Sequence, residues 1–282
     1  MVNYFKNIWD EFIYGGHLLS LGAVSIVYFE AILLNIKITW DFLLISYLGS
    51  QSVYLYNRYK ELGEDFLTNP ERTKHIQKYY KKIPIIILLC LLFFFVIFFY
   101  FNKIISLSIS LFVFFLSFSY TLFFKKITKK IPSFKNFFVS LTWSLLILIL
   151  VTYYFYSLNL AVLLVSVFVF LRWFINTSFF DVKDIENDKN LHLLTLPAIW
   201  GKNRFLNFLH IINFLSFMPI IIGISRGIFP YYSLSLLILF FYCFCYIEKT
   251  KSPNANIKII SYLIVDGEFI LWPMLLILSK YL

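Results

Sequence analysis

Charge is scarce in this chain: Asp, Glu, Lys and Arg make up only 14% of its 282 residues. With 60% of the residues hydrophobic, no water-soluble domain of this size could hide its apolar surface. A soluble globule is therefore excluded, and the chain reads as an all-α polytopic membrane protein. Cysteine is rare too. Cys90, Cys243 and Cys245 lie inside apolar runs with no metal-binding or redox spacing, which leaves them as small core residues. A cleavable leader pattern is lacking: the N-terminus is short, and the first apolar run is long enough to stay as a span. The 22% of aromatic residues, alongside abundant Ile, Lys and Asn, fits AT-rich coding and carries no functional meaning by itself. Most links are short and none suggests a separate soluble unit, so residues 1–282 are expected to form a single transmembrane domain with no nucleic-acid partner.

A bilayer crossing takes about 20 apolar residues. Nine stretches qualify: 13–35, 40–57, 83–102, 104–124, 134–155, 158–180, 204–224, 229–247 and 257–280. Orientation follows from charge. The links after spans 2, 4, 6 and 8, taken with the residues that open the next span, carry 19 of the 25 Lys and Arg residues. The positive-inside rule makes those links cytoplasmic, with the N-terminus inside and the C-terminus outside.

Two of the cytoplasmic links are long, 58–82 and 181–203, and each begins with an acidic cluster. Asp181-Val-Lys183-Asp184-Ile-Glu-Asn-Asp188 follows the apolar run that ends at Phe180. Spacings of three and four put Asp181, Asp184 and Asp188 on one helical face. Carboxylates that close repel one another unless a metal ion or a basic group sits between them. Oxygen ligands without His or Cys favour a hard ion such as Mg²⁺, which shares its shell with phosphates; the bland alternative is a solvated helix end. Upstream, Asn57-Arg58-Tyr-Lys-Glu61-Leu-Gly-Glu-Asp65 repeats the pattern: with Glu61 set on Asp184, Asp65 falls on Asp188 and Arg58 on Asp181. A matching register at two span ends on one side of the membrane points to two faces of one metal–phosphate site. The segments after them, Phe66 to Lys82 and Leu191 to Lys202, mix apolar and basic residues, as a cap over the site or an interfacial anchor would.

Paired carboxylates with a basic surround above an apolar bundle suit a diphosphate joined to a long hydrocarbon tail. Metal ions and basic side chains stabilise charge developing on a leaving pyrophosphate. Aromatic faces can stabilise the allylic cation left behind, and Phe137, Phe138 and Trp143 of span 5 and Phe168, Phe170, Trp173 and Phe174 of span 6 are suitably placed along the chain.

On these residues the chain resembles the UbiA-type intramembrane prenyltransferase superfamily. The resemblance rests on the second motif, on Thr195-Leu-Pro197 and Gly201 after it, and on Tyr120-Thr-Leu-Phe-Phe-Lys125-Lys126 with Lys135-Asn136 opening span 5. It implies nine transmembrane helices, motifs after helices 2 and 6, and Mg²⁺-dependent transfer of an isoprenyl group from a prenyl diphosphate to a lipophilic acceptor. It further implies metal ligation by Asn57, Glu61, Asp65, Asp181, Asp184 and Asp188, with Asp184, Asp188 and Lys125 catalytic. Arg58, Arg72, Tyr120, Lys125, Lys126 and Lys183 would face the diphosphate. The chain departs from the family where Arg58 replaces a carboxylate and Glu61 an aspartate of the first motif, and where Asn187 and His192 stand for glycines of the second. Arg58 either contacts the diphosphate directly or neutralises Glu61 or Asp65.

Four further polar residues belong to the expected acceptor or tail pocket: Asn136, Arg172, Asp266 and Glu268. A carboxylate in mid-span costs about 2.5–3.5 kcal/mol on insertion scales, so Asp266 and Glu268 either serve the acceptor or are satisfied by a neighbouring helix. Arg172 either contacts substrate or is the buried partner of one of them. A transporter is the competing class, but its acids belong at mid-membrane rather than at helix ends. A non-catalytic scaffold keeping the fold is the other.

Overall fold

The structure is a computed structural model describing residues 2–281, except for the side chains of residues 2–5, 64, 65, 67, 68, 121, 122, 125 and 126. Among the described residues there is no strand, and helices follow one another with short breaks. Helix α1 (Val2–Tyr14) meets α2 (His17–Leu33) at 55°. The break falls at Gly15-Gly16, where Gly16 has φ 86° and its missing Cβ would stand 2.2 Å from the Tyr54 ring. Carbonyls released at such a break need donors. Two come from the next helix: Tyr54 donates to the Tyr14 carbonyl at 2.7 Å and Gln51 to that of Gly15 at 2.8 Å. Those polar side chains in an apolar run thus fasten the bend.

That next helix, α3 (Trp40–Thr68), has 29 residues and is about 43 Å long at 1.5 Å per residue. The hydrocarbon core is about 30 Å thick. The expected link at 58 is therefore helical, and α3 carries the first acidic motif out of the apolar layer as rigid rod. It is followed by α4 (Pro70–Gln77), α5 (Ile83–Tyr100) and α6 (Ile104–Leu122). Helix α5 is apolar on every side and mostly turned outward, as a lipid-facing span must be. Next come α7 (Phe134–Ser144) with its near-continuation α8 (Leu146–Tyr153), and then α9 (Leu160–Phe180). The second motif opens as a 3₁₀ turn (Asp181–Asp184) that leads into α10 (Ile185–Asn190) and α11 (Leu196–Trp200).

The last third is α12 (Lys202–Ser216), α13 (Met218–Ser225), a 3₁₀ segment (Tyr231–Leu237), α14 (Ile238–Lys251), α15 (Ile257–Ile259) and α16 (Asp266–Tyr281). A π-helical turn, Ile260–Val265, joins the last two. Wide turns loosen the carbonyl ladder; here Tyr242 donates to the Ile264 carbonyl at 2.8 Å and Asn176 to that of Val265 at 3.4 Å.

Six helices are long and apolar enough to cross a membrane, or seven if α1 and α2 are one broken span. All nine expected stretches fall on helices, but α3 is diluted by its charged end and the apolar part of α6 is short, so length and composition do not establish nine crossings. Helix α2 packs on α3 and α16, α3 on α5, α9 on α7 and α12, and α6 on α8. The centre is aromatic. Trp143 stacks on Trp173 (4.0 Å) and Trp173 on Phe269 (4.5 Å), while Trp272 meets Phe29 and Phe168 edge-on at 5.0 Å. Large apolar side chains such as Leu88, Phe99, Ile105 and Phe115 point outward, where lipid covers them.

Candidate functional site

Where α9 ends, its last polar residues turn toward the start of α7. Asp181 is buried, and both of its oxygens are bonded: Lys135 Nζ donates to Oδ1 at 2.9 Å and Asn136 Nδ2 to Oδ2 at 2.8 Å. Asn136 Nδ2 also donates to Ser178 Oγ at 2.8 Å, while its side-chain Oδ1 is buried with no partner. Seven residues on, Asp188 is buried as well and accepts from Thr195 Oγ1 at 2.8 Å. The charges of Asp181 and Asp188 act on each other and on Lys135. Two buried acids sharing one partly exposed ammonium leave an excess of negative charge between them, which favours a further cation.

The first motif lies at the same end of the bundle, since the link that follows it bonds to the second motif through Asn69 and Lys183. Tyr120, half-buried near the end of α6 with its ring 5.6 Å from Phe138, lies in the field of Lys135, Glu61 and Asp181 together. Glu61 is held by Arg58 at 3.3 Å, three residues earlier on α3, and the Arg58 guanidinium lies over the Tyr54 ring at 5.6 Å. Of the two readings of Arg58, neutralisation of Glu61 is thus present in the geometry. Asn57 sits one residue before, on the same half-buried stretch of α3. Asp65, Lys125 and Lys126 carry three of the expected roles, and their side chains lie outside the described residues.

A second polar group stands beside the first. Lys183 Nζ contacts Asp184 at 2.9 and 3.1 Å and donates to Asn69 Oδ1 at 3.0 Å; Tyr262 also donates to Asn69. Arg72 lies over the Tyr262 ring at 5.7 Å, and its charge, like that of Lys183, reaches Asp266. Asp266 itself accepts from Asn176 at 3.0 Å. The other two expected pocket residues lie deeper. Arg172 donates to Glu268 through Nε (3.0 Å) and through Nη2, and its Nη1 reaches Asn213 at 2.6 Å and Ser216 at 3.4 Å. Of the alternatives for Arg172, a buried partnership with Glu268 is what the fold builds, and neither residue lines a cavity described below.

An apolar cavity lies directly under the site. It is lined along α3 from Phe42 to Val53, along α6 from Ser110 to Ser117 and along α7–α8 from Thr142 to Ile149. Its upper rim, Val53 and Ser117, is about one turn below Asn57 and Tyr120. A second, more polar cleft opens between α1, α4 and α15, with Arg72, Tyr262, Trp9 and Lys258 in its walls.

Sequence reasoning gave no individual role to Lys135, Asn69, Thr195 or Tyr262. Lys135 had a signal, since it directly precedes Asn136 in a stretch singled out as a unit. The other three are ordinary polar residues whose meaning depends on which helix folds against which. Among the described residues no three His, Cys, Asp or Glu side chains converge on a point that could hold a metal ion. The donor chemistry nonetheless fits a hard divalent cation. All donors are oxygens, Asp181 and Asp188 share one ammonium, and the Asn136 side-chain carbonyl stands without a partner beside Asp181.

The sequence profile of the UbiA prenyltransferase family matches residues 18–265. No curated protein matches the chain. Among solved structures, the fold is similar to that of an apo UbiA homologue from Aeropyrum pernix K1, with TM-score 0.68, 12% identity and 93% and 96% of the two chains covered. It is also similar to a UbiA homologue from Archaeoglobus fulgidus bound to DMAPP and Mg²⁺ (TM-score 0.59, 15% identity, 95% and 98% covered). A third likeness is to a digeranylgeranylglyceryl phosphate synthase studied in membranes (TM-score 0.62, 16% identity, 98% and 100% covered).

Proposed function

Because this chain belongs to the UbiA prenyltransferase family, we propose that it transfers an isoprenyl group from a prenyl diphosphate to a lipophilic acceptor within the membrane. One observation carries this reading: Asp181 with Lys135 and Asn136, and the Lys183–Asn69 bond that joins the two motif-bearing links, stand at one end of the bundle, about one turn from the rim of an apolar cavity. The polar end matches the diphosphate and the cavity matches the tail. The A. fulgidus homologue's DMAPP and Mg²⁺ support the same pairing of ligands.

In this reading Asp181, Asp184, Asp188 and the Asn136 side-chain carbonyl, with Asn57, Glu61 and Asp65 from the other motif, would hold Mg²⁺. When bound, the ion would neutralise the diphosphate and lower the energy of its departure as pyrophosphate. The chain's own cations add to that. Lys135 and Lys183 stand on the motif acids, and Arg58, Arg72, Lys125 and Lys126 complete the basic surround. They stabilise charge that grows on the bridging oxygen as the C–O bond breaks and the electron pair stays with pyrophosphate. Tyr120 orients that oxygen through its hydroxyl. The bundle keeps water from the allylic carbon, and Trp143, which lines the cavity and stacks on Trp173, presents a π face to the positive charge. The acceptor's nucleophilic atom then bonds to the allylic carbon and gives up its proton to the departed pyrophosphate.

The remaining expectations enter here as proposals. The chain acts as a single membrane domain with its site on the cytoplasmic side, N-terminus inside and C-terminus outside. The segments after the motifs, residues 58–82 and 181–203, cap the site; Asn69 and Lys183, one from each, already bond to one another. The acceptor arrives from the lipid, on the side of Asp266.

The test is pyrophosphate release from farnesyl diphosphate by purified protein, with a membrane lipid extract supplying acceptors. Release that needs Mg²⁺, stops with EDTA and is accompanied by a prenylated lipid supports the proposal. A folded protein that neither binds nor consumes prenyl diphosphate at any Mg²⁺ concentration would leave a scaffold keeping the fold.

A further inference from the structure

The apolar cavity has a floor. Phe42 closes it from α3, with its ring 4.9 Å from Tyr153 and 5.6 Å from Tyr154. Tyr153 is buried, packs on Phe98 at 6.0 Å and donates its hydroxyl to Asp41, also buried. Tyr153, fixed by Phe98 and Asp41, therefore backs the Phe42 ring from the side away from the cavity, and close-packed surroundings there leave no volume for Phe42 to retreat into.

The walls accept only hydrocarbon. Five hydroxyl residues face the cavity, and each donates to its own helix: Ser46 to the Phe42 carbonyl, Ser50 to Tyr47, Ser110 to Ser106, Ser117 to Val113 and Thr142 to Phe138, all between 2.8 and 3.1 Å. Their protons are used, so a polar occupant would find no donor there. Halfway down, Gly49 leaves room between two rings. A Cβ at this position would stand 3.3 Å from Phe94 and 3.4 Å from Phe114.

Length then becomes the deciding quantity. From Val53 at the rim to Phe42 at the floor, α3 advances eleven residues, about 16 Å. An isoprene unit adds four bonds to an extended chain, about 5 Å at the reach per bond of a polypeptide backbone. With its first carbon at the rim, a tail of three units fills the cavity. A fourth unit would have to displace Phe42.

We propose that Phe42 and Gly49 set the length of the prenyl tail, admitting three isoprene units and rejecting a fourth. The inference rests on the prenyl-transfer reading above and adds to it the identity of the donor: a farnesyl-length diphosphate. Phe42 fixes the lower limit of the cavity, and the absent side chain of Gly49 keeps its middle open.

The experiment compares dimethylallyl, geranyl, farnesyl and geranylgeranyl diphosphates as donors, together with binding of their non-reactive thiolodiphosphate analogues. The full-length protein in nanodiscs should use farnesyl at least tenfold better than geranylgeranyl diphosphate by kcat/KM. Phe42→Ala should bring that ratio close to one. Gly49→Leu should shift preference at least tenfold from farnesyl toward dimethylallyl diphosphate. If Phe42→Ala does not fold, Phe42→Leu and Gly49→Leu still move the ratio in opposite directions. Equal use of farnesyl and geranylgeranyl by the unaltered chain, or an unchanged ratio in folded Phe42 variants, overturns the length rule and leaves prenyl transfer standing. Absence of binding and turnover with every tail overturns prenyl transfer, and the length rule with it.

Discussion

Replacing Arg172 by Met tests what the buried polar cluster of the bundle is for. Arg172 and Glu268 are both buried, and the guanidinium reaches Glu268, Asn213 and Ser216 at once. Arg172→Met leaves a buried carboxylate with only Trp272 Nε1 at 3.2 Å and the Tyr246 hydroxyl at 3.4 Å as donors. Breaking one side of such a pair costs about 3–5 kcal/mol, since the other charge stays buried without compensation. At about 2–4 °C per kcal/mol for a chain of this size, the midpoint should fall by on the order of 10 °C. Glu268→Gln should cost a similar amount for the mirror-image reason. The double variant Arg172→Met/Glu268→Gln removes both charges and loses chiefly the bonds to Asn213 and Ser216, about 1 kcal/mol each. It should therefore stand well above either single variant. The assay is thermal unfolding in detergent followed by tryptophan fluorescence. A single variant losing less than about 1 kcal/mol, or a double variant no better than the singles, would refute the reasoning and return Arg172 to the role of a ligand contact.

Glu30 is fully buried on α2 and neither carboxylate oxygen has a partner, so Glu30→Met should stabilise the fold by about 1–3 kcal/mol and raise the unfolding midpoint. Gly16→Ala places a methyl group in the Tyr54 ring at a left-handed backbone position; it should lower the midpoint by several degrees and the yield of folded protein, read by size-exclusion chromatography. Asp188→Asn keeps an acceptor for Thr195 but removes a charge, and pyrophosphate release should fall about 100-fold while the unfolding midpoint holds. Lys135→Met should lower release too, but should lower the Mg²⁺ concentration needed for half-activity where Asp188→Asn raises it, because a cation rather than an acid has been removed.

The spans were legible because lipid imposes a simple rule: a run of about 20 apolar residues is visible without knowing what packs on what. The motifs were legible for the opposite reason, since carboxylates at span ends stand out against such runs. What the sequence hid is mostly where the helix ignores the composition. The apolar run ends near Tyr56, yet α3 continues to Thr68, because Lys60, Glu61 and Leu62 are good helix formers and the helix need not end where the lipid does. The bend at Gly15-Gly16 became a structural joint only through Gln51 and Tyr54, which are distant in sequence. The partner of Arg172 was undecidable from spacing: Asp266 and Glu268 are two residues apart, so they point to different sides of a helix, and only the packing of α16 chooses Glu268. Glu30 went unremarked, as a lone acid inside an apolar run with no neighbour of its kind. In the site, Asn136 stands on Asp181 rather than in the acceptor or tail pocket expected of it, because α7 folds its first turn against the end of α9, while Asn69 and Tyr262 depend on α4 and α15 meeting near the second motif.

The claim beneath all of this is that two distant acidic motifs build one diphosphate site. A double-mutant cycle tests it directly: Glu61→Gln, Asp188→Asn and the pair together, read as affinity for farnesyl thiolodiphosphate in the presence of Mg²⁺. If the motifs share a site, the effects are non-additive, with a coupling of about 0.5–3 kcal/mol. Effects that add to within about 0.5 kcal/mol would mean independent sites and would contradict the account.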